Sequence, residues 1–213
     1  KLFCDMEMKK KLMVGKSFVL SIFALCVFPF THCNDDASKS YIWYYYNIDS
    51  LYSNEVYDSG DYIFFNVGVN HYKALDTQID SMRSLYKDNH YNQVVYDDGA
   101  EVLVNHLDSI HVISDSDFDS VHLAGTLLDD LFYVNIHGYY DLLISNYGRD
   151  RECQLNYTKK ISEFEYKDGH LVSGFVIKLP NNVSPIEKEH NLTITYYFTN
   201  LKPQILKYKV VFK

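Results

Sequence analysis

Cysteine is scarce in this chain, with four residues among 213. Two of them, Cys4 and Cys26, lie in an N-terminal segment that we expect to be removed, which leaves Cys33 and Cys153. Neither belongs to a Cys-x-x-Cys pair or to a Cys/His spacing of the zinc type, so the sequence excludes a zinc finger or ribbon. One Cys33–Cys153 bridge is the most that such a domain can form in an oxidising compartment.

Short catalytic motifs are also missing. The sequence has no Gly-x-Ser-x-Gly elbow, phosphate-binding glycine loop or His-Glu-x-x-His motif. Carboxylate pairs for glycoside hydrolysis are assembled in space rather than in sequence, so a hydrolase stays open as an alternative. We therefore expect a protein that is not an enzyme and that uses no cofactor.

Positive charge is in short supply. The chain has 20 Lys and Arg against 28 Asp and Glu, a formal net charge of −8. Without residues 1–32, 26 acidic and 15 basic side chains remain. Such a surface repels phosphate backbones, so we expect no nucleic-acid partner.

What the chain does have is an N-terminal segment with the order of an export signal. Met8 is followed by three lysines, and residues 17–30 carry no charge. This apolar run has the length of a signal-peptide core and is shorter than the roughly 20 residues that span a bilayer as a helix. We predict that residues 1–32 are upstream residues and a cleaved signal peptide, with a retained membrane anchor or a buried core helix as the alternatives.

Cys33 is the predicted lipidation site. The stretch before it resembles a bacterial lipoprotein signal, in which the cysteine is acylated and becomes the mature N-terminus, although Phe30 and His32 depart from the usual residues there. The residues after it, Asn-Asp-Asp at 34–36, resemble the acidic surface-display signal of Bacteroidetes lipoproteins. The resemblance implies an outer-membrane protein with a lipid anchor, facing the cell surface rather than the periplasm, and a tether over residues 33–40.

Alternation of apolar and polar residues dominates the rest of the chain. It predicts an all-β domain over residues 41–213, an antiparallel β-sandwich of seven to nine strands with Ig-like connections. The expected strands include residues 62–70, 92–96, 102–114, 131–137, 161–166, 171–179, 192–198 and 206–212.

Two local signals refine this prediction. Asp168-Gly169 favours a tight hairpin between residues 161–166 and 171–179. Residues 72–87 are the one candidate for a short helix, because apolar side chains recur there at spacings of four, three and three.

Trp43, Tyr44 and Tyr46 are the candidate ligand-binding residues. They lie in a run that holds the only tryptophan of the chain and four tyrosines. Aromatic rings with a polar group suit both sugar faces and protein interfaces. The competing interpretation is a first strand that places Trp43 and Tyr45 on one face against Ile42, Tyr44 and Tyr46 on the other.

Asp115, Asp117 and Asp119 form the sharpest polar cluster. Alternating carboxylates on one loop can bind Ca²⁺, which prefers several oxygen ligands. An EF-hand loop would need glycine and glutamate where this chain has Ser120 and Thr126. A solvated turn after a strand is the competing interpretation of this weak calcium candidate.

Residues 108–114, 117–119 and 124–132, together with the leader and the closing pattern at 192–212, resemble small Bacteroidales lipoproteins of a domain family of unknown function. The resemblance covers most of the mature chain. It implies a lipid-anchored β-sandwich of gut-type bacteria and brings no catalytic residues. We therefore expect a non-enzymatic envelope protein that binds a glycan or a protein at the cell surface. The alternatives are an assembly subunit of a fimbria-like structure and a glycan hydrolase.

Overall fold

The computed structural model of the chain describes residues 42–89, 91, 100–146 and 156–212. The predicted signal peptide, the tether and the strand expected at 92–96 lie outside these residues, as do Cys33 and Cys153. Within the described residues, no helix combines the length and hydropathy needed to cross a bilayer.

Nine β-strands and two α-helices make up the described part of the domain. The strands are β1 (Ile42–Asp58), β2 (Tyr62–Lys73), β3 (Ala100–Leu103), β4 (Leu107–Ser114), β5 (Tyr133–Gly138), β6 (Asn156–Lys160), β7 (Val172–Pro180), β8 (Glu189–Phe198) and β9 (Gln204–Val211). The helices are α1 (Asp76–Tyr86) and α2 (Tyr140–Ile144), and two 3₁₀ turns span Ile161–Glu163 and Tyr166–Gly169. The all-β prediction is confirmed, and α1 lies within the predicted helix, whereas α2 is an addition.

The strands form a two-sheet sandwich. One sheet has the order β3-β1-β2-β7-β5-β6 and the other has the order β4-β8-β9. All pairs are antiparallel except β1 with β3. The two sheets have six and three strands, whereas the sheets of a constant-type immunoglobulin domain have four and three. The closing pair β8–β9 confirms the strands predicted at the C-terminus.

Alternation places one face of most strands in a core that both sheets share. On β5, Val134 and Ile136 are fully buried, and so is Ile194 on β8. A second, smaller cluster packs the beginning of β1 and the strand β3 against both helices. Leu171 belongs to the second cluster and Val172 to the first, so the boundary between the two clusters passes close to the end of the second 3₁₀ turn.

The hairpin predicted around Asp168 and Gly169 is wrong. β7 pairs with β2 and β5, and the chain before it forms the two 3₁₀ turns. The Asp168 side chain is buried and accepts a hydrogen bond from the Glu165 amide, whereas a hairpin turn would expose it. A β-carbon on Gly169 would overlap the Leu107 carbonyl, which shows how closely this turn packs on β4. Burial therefore overrides the local turn propensity of Asp-Gly.

The strand expected over residues 102–114 is two strands in different sheets. β3 ends at Leu103 in the six-stranded sheet, and β4 begins at Leu107 in the three-stranded sheet. Between them, the Asn105 side chain accepts the Ile48 amide at 2.7 Å, and the His106 carbonyl accepts the Thr199 amide at 2.9 Å. Both sheets bury apolar side chains, so hydropathy alone could not show where the chain crosses between them.

Tyr196→Phe is expected to raise the free energy of unfolding by about 1 kcal/mol, because an unpaired buried hydroxyl is costly. Tyr196 is fully buried, and its hydroxyl is the only buried side-chain nitrogen or oxygen of the described residues without a hydrogen-bond partner. Urea denaturation measures the change. Tyr208→Phe is the control with the opposite sign, since the Tyr208 hydroxyl donates to the Asn66 carbonyl at 2.9 Å. A less stable Tyr196→Phe variant would contradict the prediction.

Candidate functional site

A pocket of about 350 Å³ opens where the end of β5, the strand β6, the start of α2 and the second 3₁₀ turn meet. We call it the β6 pocket. Its lining includes three aromatic residues, Tyr140, Tyr157 and His170. Its charged lining residues are Asp141, Lys159, Lys167 and Asp168. Its volume is within the range of pockets that hold small ligands.

Asp168 organises one wall of the pocket. Its carboxylate accepts hydrogen bonds from Lys159 Nζ at 2.7 Å and from the Glu165 amide at 2.8 Å. Its backbone carbonyl accepts the Tyr157 hydroxyl. Burial, and then the carboxylates of Asp168 and Asp141, raise the pKa of Tyr157, so this hydroxyl stays protonated and donates. These contacts fix the side chains of Lys159 and Tyr157 against the 3₁₀ turn.

Lys167 lies at the exposed rim. Its ammonium group is 2.6 Å from a Glu165 carboxylate oxygen. The hydrogen bond between them lowers the pKa of Glu165 and raises the pKa of Lys167. Both lysines of the pocket are thus paired with carboxylates, so the site carries no unbalanced positive charge that would select an anionic ligand.

His170 lies behind Tyr140 in an aromatic cluster. The two rings are stacked, with centroids 5.1 Å apart and an interplanar angle of 27°. The Tyr86 hydroxyl is 2.7 Å from His170 Nδ1. Burial, and then the neighbouring His106, lower the pKa of His170 to about 4. Burial, followed by Tyr166 and Tyr140, raises the pKa of Tyr86 to about 12. His170 is therefore neutral and Tyr86 protonated at pH 7.

His106 forms the inner end of this cluster. Its ring is 4.2 Å from the His170 ring and is stacked on Tyr166 at 3.9 Å. Its Nδ1 lies 2.8 Å from an Asp108 carboxylate oxygen, and its Nε2 lies 2.6 Å from the Tyr166 carbonyl. The cluster joins α1, α2, the β3–β4 connection and the second 3₁₀ turn, so the pocket is built on an ordered base.

The β6 pocket therefore combines ring surfaces with fixed hydrogen-bonding groups. Such a combination suits a small polar ligand that also has an apolar face, since a few polar groups in an aromatic-lined pocket fix the ligand's orientation. Over the described residues, no group of three or more His, Cys, Asp or Glu side chains is arranged to hold a metal ion.

The predicted candidates Trp43, Tyr44 and Tyr46 lie elsewhere, and none of them lines the β6 pocket. Tyr44 is exposed and its ring is 5.9 Å from that of half-buried Tyr46, whose hydroxyl donates to Glu101 at 3.3 Å. Trp43 is half-buried. The strand itself is confirmed, but its simple alternation is wrong. The pairing of β1 with β3 is irregular between Ile42 and Tyr44, so Ile42 and Tyr45 are both buried in the second cluster.

The three aspartates of the calcium candidate bind protein donors separately. Asp115 accepts the Asn191 amide at 2.9 Å, and Asp117 accepts the Ala124 amide at 2.8 Å. Asp119 accepts the amides of the next turn and also binds His122. The structure does not bring their carboxylates together as a metal site. The loop is instead stabilised by turns and by the imidazole of His122.

His122 is expected to titrate above its ordinary pKa of 6.5. Its hydrogen bond to Asp119 raises its pKa, and its second nitrogen is 3.1 Å from Asp130. Hydrogen bonds from His122 and Val121 lower the pKa of Asp119 to about 2. A raised histidine pKa means that its contribution to stability is complete below about pH 6.5 and is lost as the pH rises through the folded-state value.

Nuclear magnetic resonance (NMR) titration of the imidazole measures this shift. Asp119→Asn should return the pKa of His122 toward 6.5, whereas Asp117→Asn should leave it nearly unchanged. A wild-type value at or below 6.5 would contradict the assignment. Because Asp115, Asp117 and Asp119 already accept hydrogen bonds from separate protein donors, we also expect millimolar Ca²⁺ to leave the midpoint of thermal unfolding unchanged.

Sequence reasoning missed the residues of the β6 pocket. The only local signal was Tyr-Lys-Asp-Gly-His at 166–170, and Asp-Gly is at the same time a hairpin signature. Tyr140 lies far from this segment in the sequence, and Lys159 is separated from it by another 3₁₀ turn, so only the fold shows that they line one pocket. No family model, curated protein or solved structure matches the chain, so the geometry of the site is the basis for its interpretation.

Proposed function

We propose that this chain is a lipid-anchored, non-enzymatic protein of the bacterial envelope that binds a glycan in the β6 pocket. The single observation that supports the ligand class is the pocket itself, in which aromatic residues and paired polar groups lie together. Sugars present apolar C–H faces and hydroxyl edges, which match ring surfaces and fixed donors and acceptors respectively. The proposed address rests on the leader and on Cys33.

Binding of defined glycans tests the ligand. Isothermal titration with N-acetylglucosamine and mannose tetramers is expected to detect at least one of them. Tyr140→Ala should lower its affinity about tenfold or more, because the ring surface in the pocket is lost. Tyr197→Ala is the matched control, since Tyr197 is an exposed tyrosine of β8 outside the pocket lining. Equal losses in the two variants would contradict the assignment of the pocket.

Mass spectrometry of the mature N-terminus tests the address. We expect an acylated Cys33 as the first residue. A free N-terminus at another residue, or a Cys33→Ala protein that still partitions with membranes, would contradict the lipid anchor.

A hydrolase is the second candidate, because two carboxylates, Asp141 and Asp168, line the same pocket. Asp168 is committed to Lys159 and to a backbone amide, which disfavours a catalytic role. Asp141→Asn separates the two functions. Hydrolysis of a bound tetramer that stops in this variant would favour the hydrolase, and binding without hydrolysis in the wild type favours the binding protein.

The alternative of an assembly subunit of a fimbria-like structure has weaker support than glycan binding. β9 is an edge strand of the three-stranded sheet, and an edge strand is where a partner strand adds to a sheet. However, Lys207 and Lys209 alternate along it, and lysines on an edge strand oppose pairing with another chain.

A further inference from the structure

We propose that His170 is a neutral hydrogen-bond donor of the β6 pocket, which presents its Nε2–H group to an acceptor oxygen of the ligand. Tyr86 and His106 are the positioning residues that hold it in this state. The proposal rests on the proposed function and deepens it, because it assigns a polar contact through which the pocket orients its ligand.

Tyr86 determines which ring nitrogen carries the proton. Its hydroxyl is 2.7 Å from His170 Nδ1 and has no other acceptor among the described residues. A phenol that stays protonated places its hydrogen on that nitrogen, so Nδ1 accepts. A neutral imidazole has one N–H group, and the proton of His170 is therefore on Nε2.

His106 opposes a second proton on His170. The Asp108 carboxylate and the Tyr166 carbonyl hold the His106 ring in place. The centroid of this ring lies 4.2 Å from that of the His170 ring. A proton added to His170 in this crowded, partly buried site would be poorly solvated, which is unfavourable. The lowered pKa of His170 agrees with this arrangement.

The Nε2 atom of His170 has no hydrogen-bond partner among the described residues, although His170 lines the pocket. This atom is also not buried. Among the described residues, the Tyr196 hydroxyl is the only buried side-chain nitrogen or oxygen without a hydrogen-bond partner. Stacking against Tyr140 limits rotation of the ring. The pocket lining thus contains a donor that no described residue of the protein satisfies.

This state selects the chemistry of the ligand. The group that meets Nε2–H must accept a hydrogen bond, as a sugar hydroxyl or an acetamido carbonyl does, and an ammonium group is excluded.

The charged and titratable groups that face His170 come from several elements of the fold. They are His106, Asp108, Tyr86, Tyr140 and Tyr166.

Imidazole ¹⁵N NMR on the intact chain tests the state of His170 without a ligand. At pH 7 we expect the neutral tautomer with hydrogen on Nε2. Tyr86→Phe should abolish the tautomer preference, and His106→Gln should raise the pKa of His170, since it removes a neighbouring ring that lowers this pKa. His71, which lies on β2 outside the cluster, is the internal control in both variants. A cationic His170 at pH 7, or a proton on Nδ1, would overturn the proposal.

Affinity for the tetramer that binds the wild type tests the contact. His170→Phe should weaken binding about tenfold, as expected for a lost hydrogen bond that leaves a ligand acceptor unpaired. His170→Gln keeps an N–H donor and should stay within about threefold of the wild type. Equal affinity of the Phe variant would overturn the contact even where glycan binding itself holds. If neither tetramer binds, the proposed function fails and the ligand contact fails with it. The NMR measurement of the His170 tautomer needs no ligand. The expected tautomer without glycan binding would therefore place the fault in the proposed function, and glycan binding with the wrong tautomer would place it in the proposal for His170.

Discussion

Gly169→Ala is expected to destabilise the protein by about 3 kcal/mol or more, since overpacking against backbone leaves little room for relaxation. The β-carbon would overlap the carbonyl and α-carbon region of Leu107 at the beginning of β4. Rotating a side chain cannot relieve that contact, because the Leu107 atoms are main chain and the backbone of residue 169 fixes the position of the β-carbon. The second 3₁₀ turn would have to move away from the three-stranded sheet and would carry Asp168 and His170 with it.

Urea denaturation is the measurement, and the midpoint should fall by about 1.5 M at a slope of about 2 kcal/mol/M. Gly174→Ala is the matched control on β7. No heavy atom lies within 4 Å of its added β-carbon, so its midpoint should stay nearly constant or rise slightly. If Gly169→Ala behaves like Gly174→Ala, the turn does not pack on β4 as described.

Asp168→Ala should lower the free energy of unfolding by about 3 kcal/mol, at the low end for breaking a buried ion pair. The Asp168 side chain is 7% exposed and that of Lys159 is 29% exposed. Truncation would leave the Lys159 ammonium and the Glu165 amide without their acceptor in a partly buried wall. Urea and thermal denaturation of the wild type and the variant measure this loss of unfolding free energy.

Lys167→Ala is the control for Asp168→Ala, because Lys167 makes its ion pair at an exposed position. We expect only a small shift of the urea midpoint, as for most surface ion pairs. A comparable loss of unfolding free energy in both variants would contradict the prediction. It would show that the buried Asp168 contacts stabilise the protein no more than an exposed ion pair does.

The strands could be predicted from sequence because their signal is local. Val134 and Ile136 alternate with polar residues on β5, and Leu192 and Ile194 do so on β8, and burial of one face follows directly from that period. Pairing partners are not local. The Asp-Gly at 168–169 has a strong hairpin propensity, yet the tertiary contacts of Asp168 with Lys159 and of Gly169 with Leu107 override it.

The pocket could not be predicted for the same reason. Its aromatic residues come from α2, β6 and the chain after the second 3₁₀ turn, and each of them alone resembles an ordinary tyrosine or histidine of a β-protein. The aromatic run at Trp43, Tyr44 and Tyr46 drew attention because it is continuous in sequence. Continuity in sequence has no bearing on whether side chains form a concave site.

The most direct test of the glycan-binding pocket is an amide NMR titration of the ¹⁵N-labelled chain with N-acetylglucosamine and mannose tetramers. We predict saturable shifts that cluster at Tyr140, Thr158 and His170 around the β6 pocket. Shifts that cluster at Tyr44 and Tyr46, or no shifts with either tetramer at millimolar concentration, would contradict the assignment of this pocket as the glycan site.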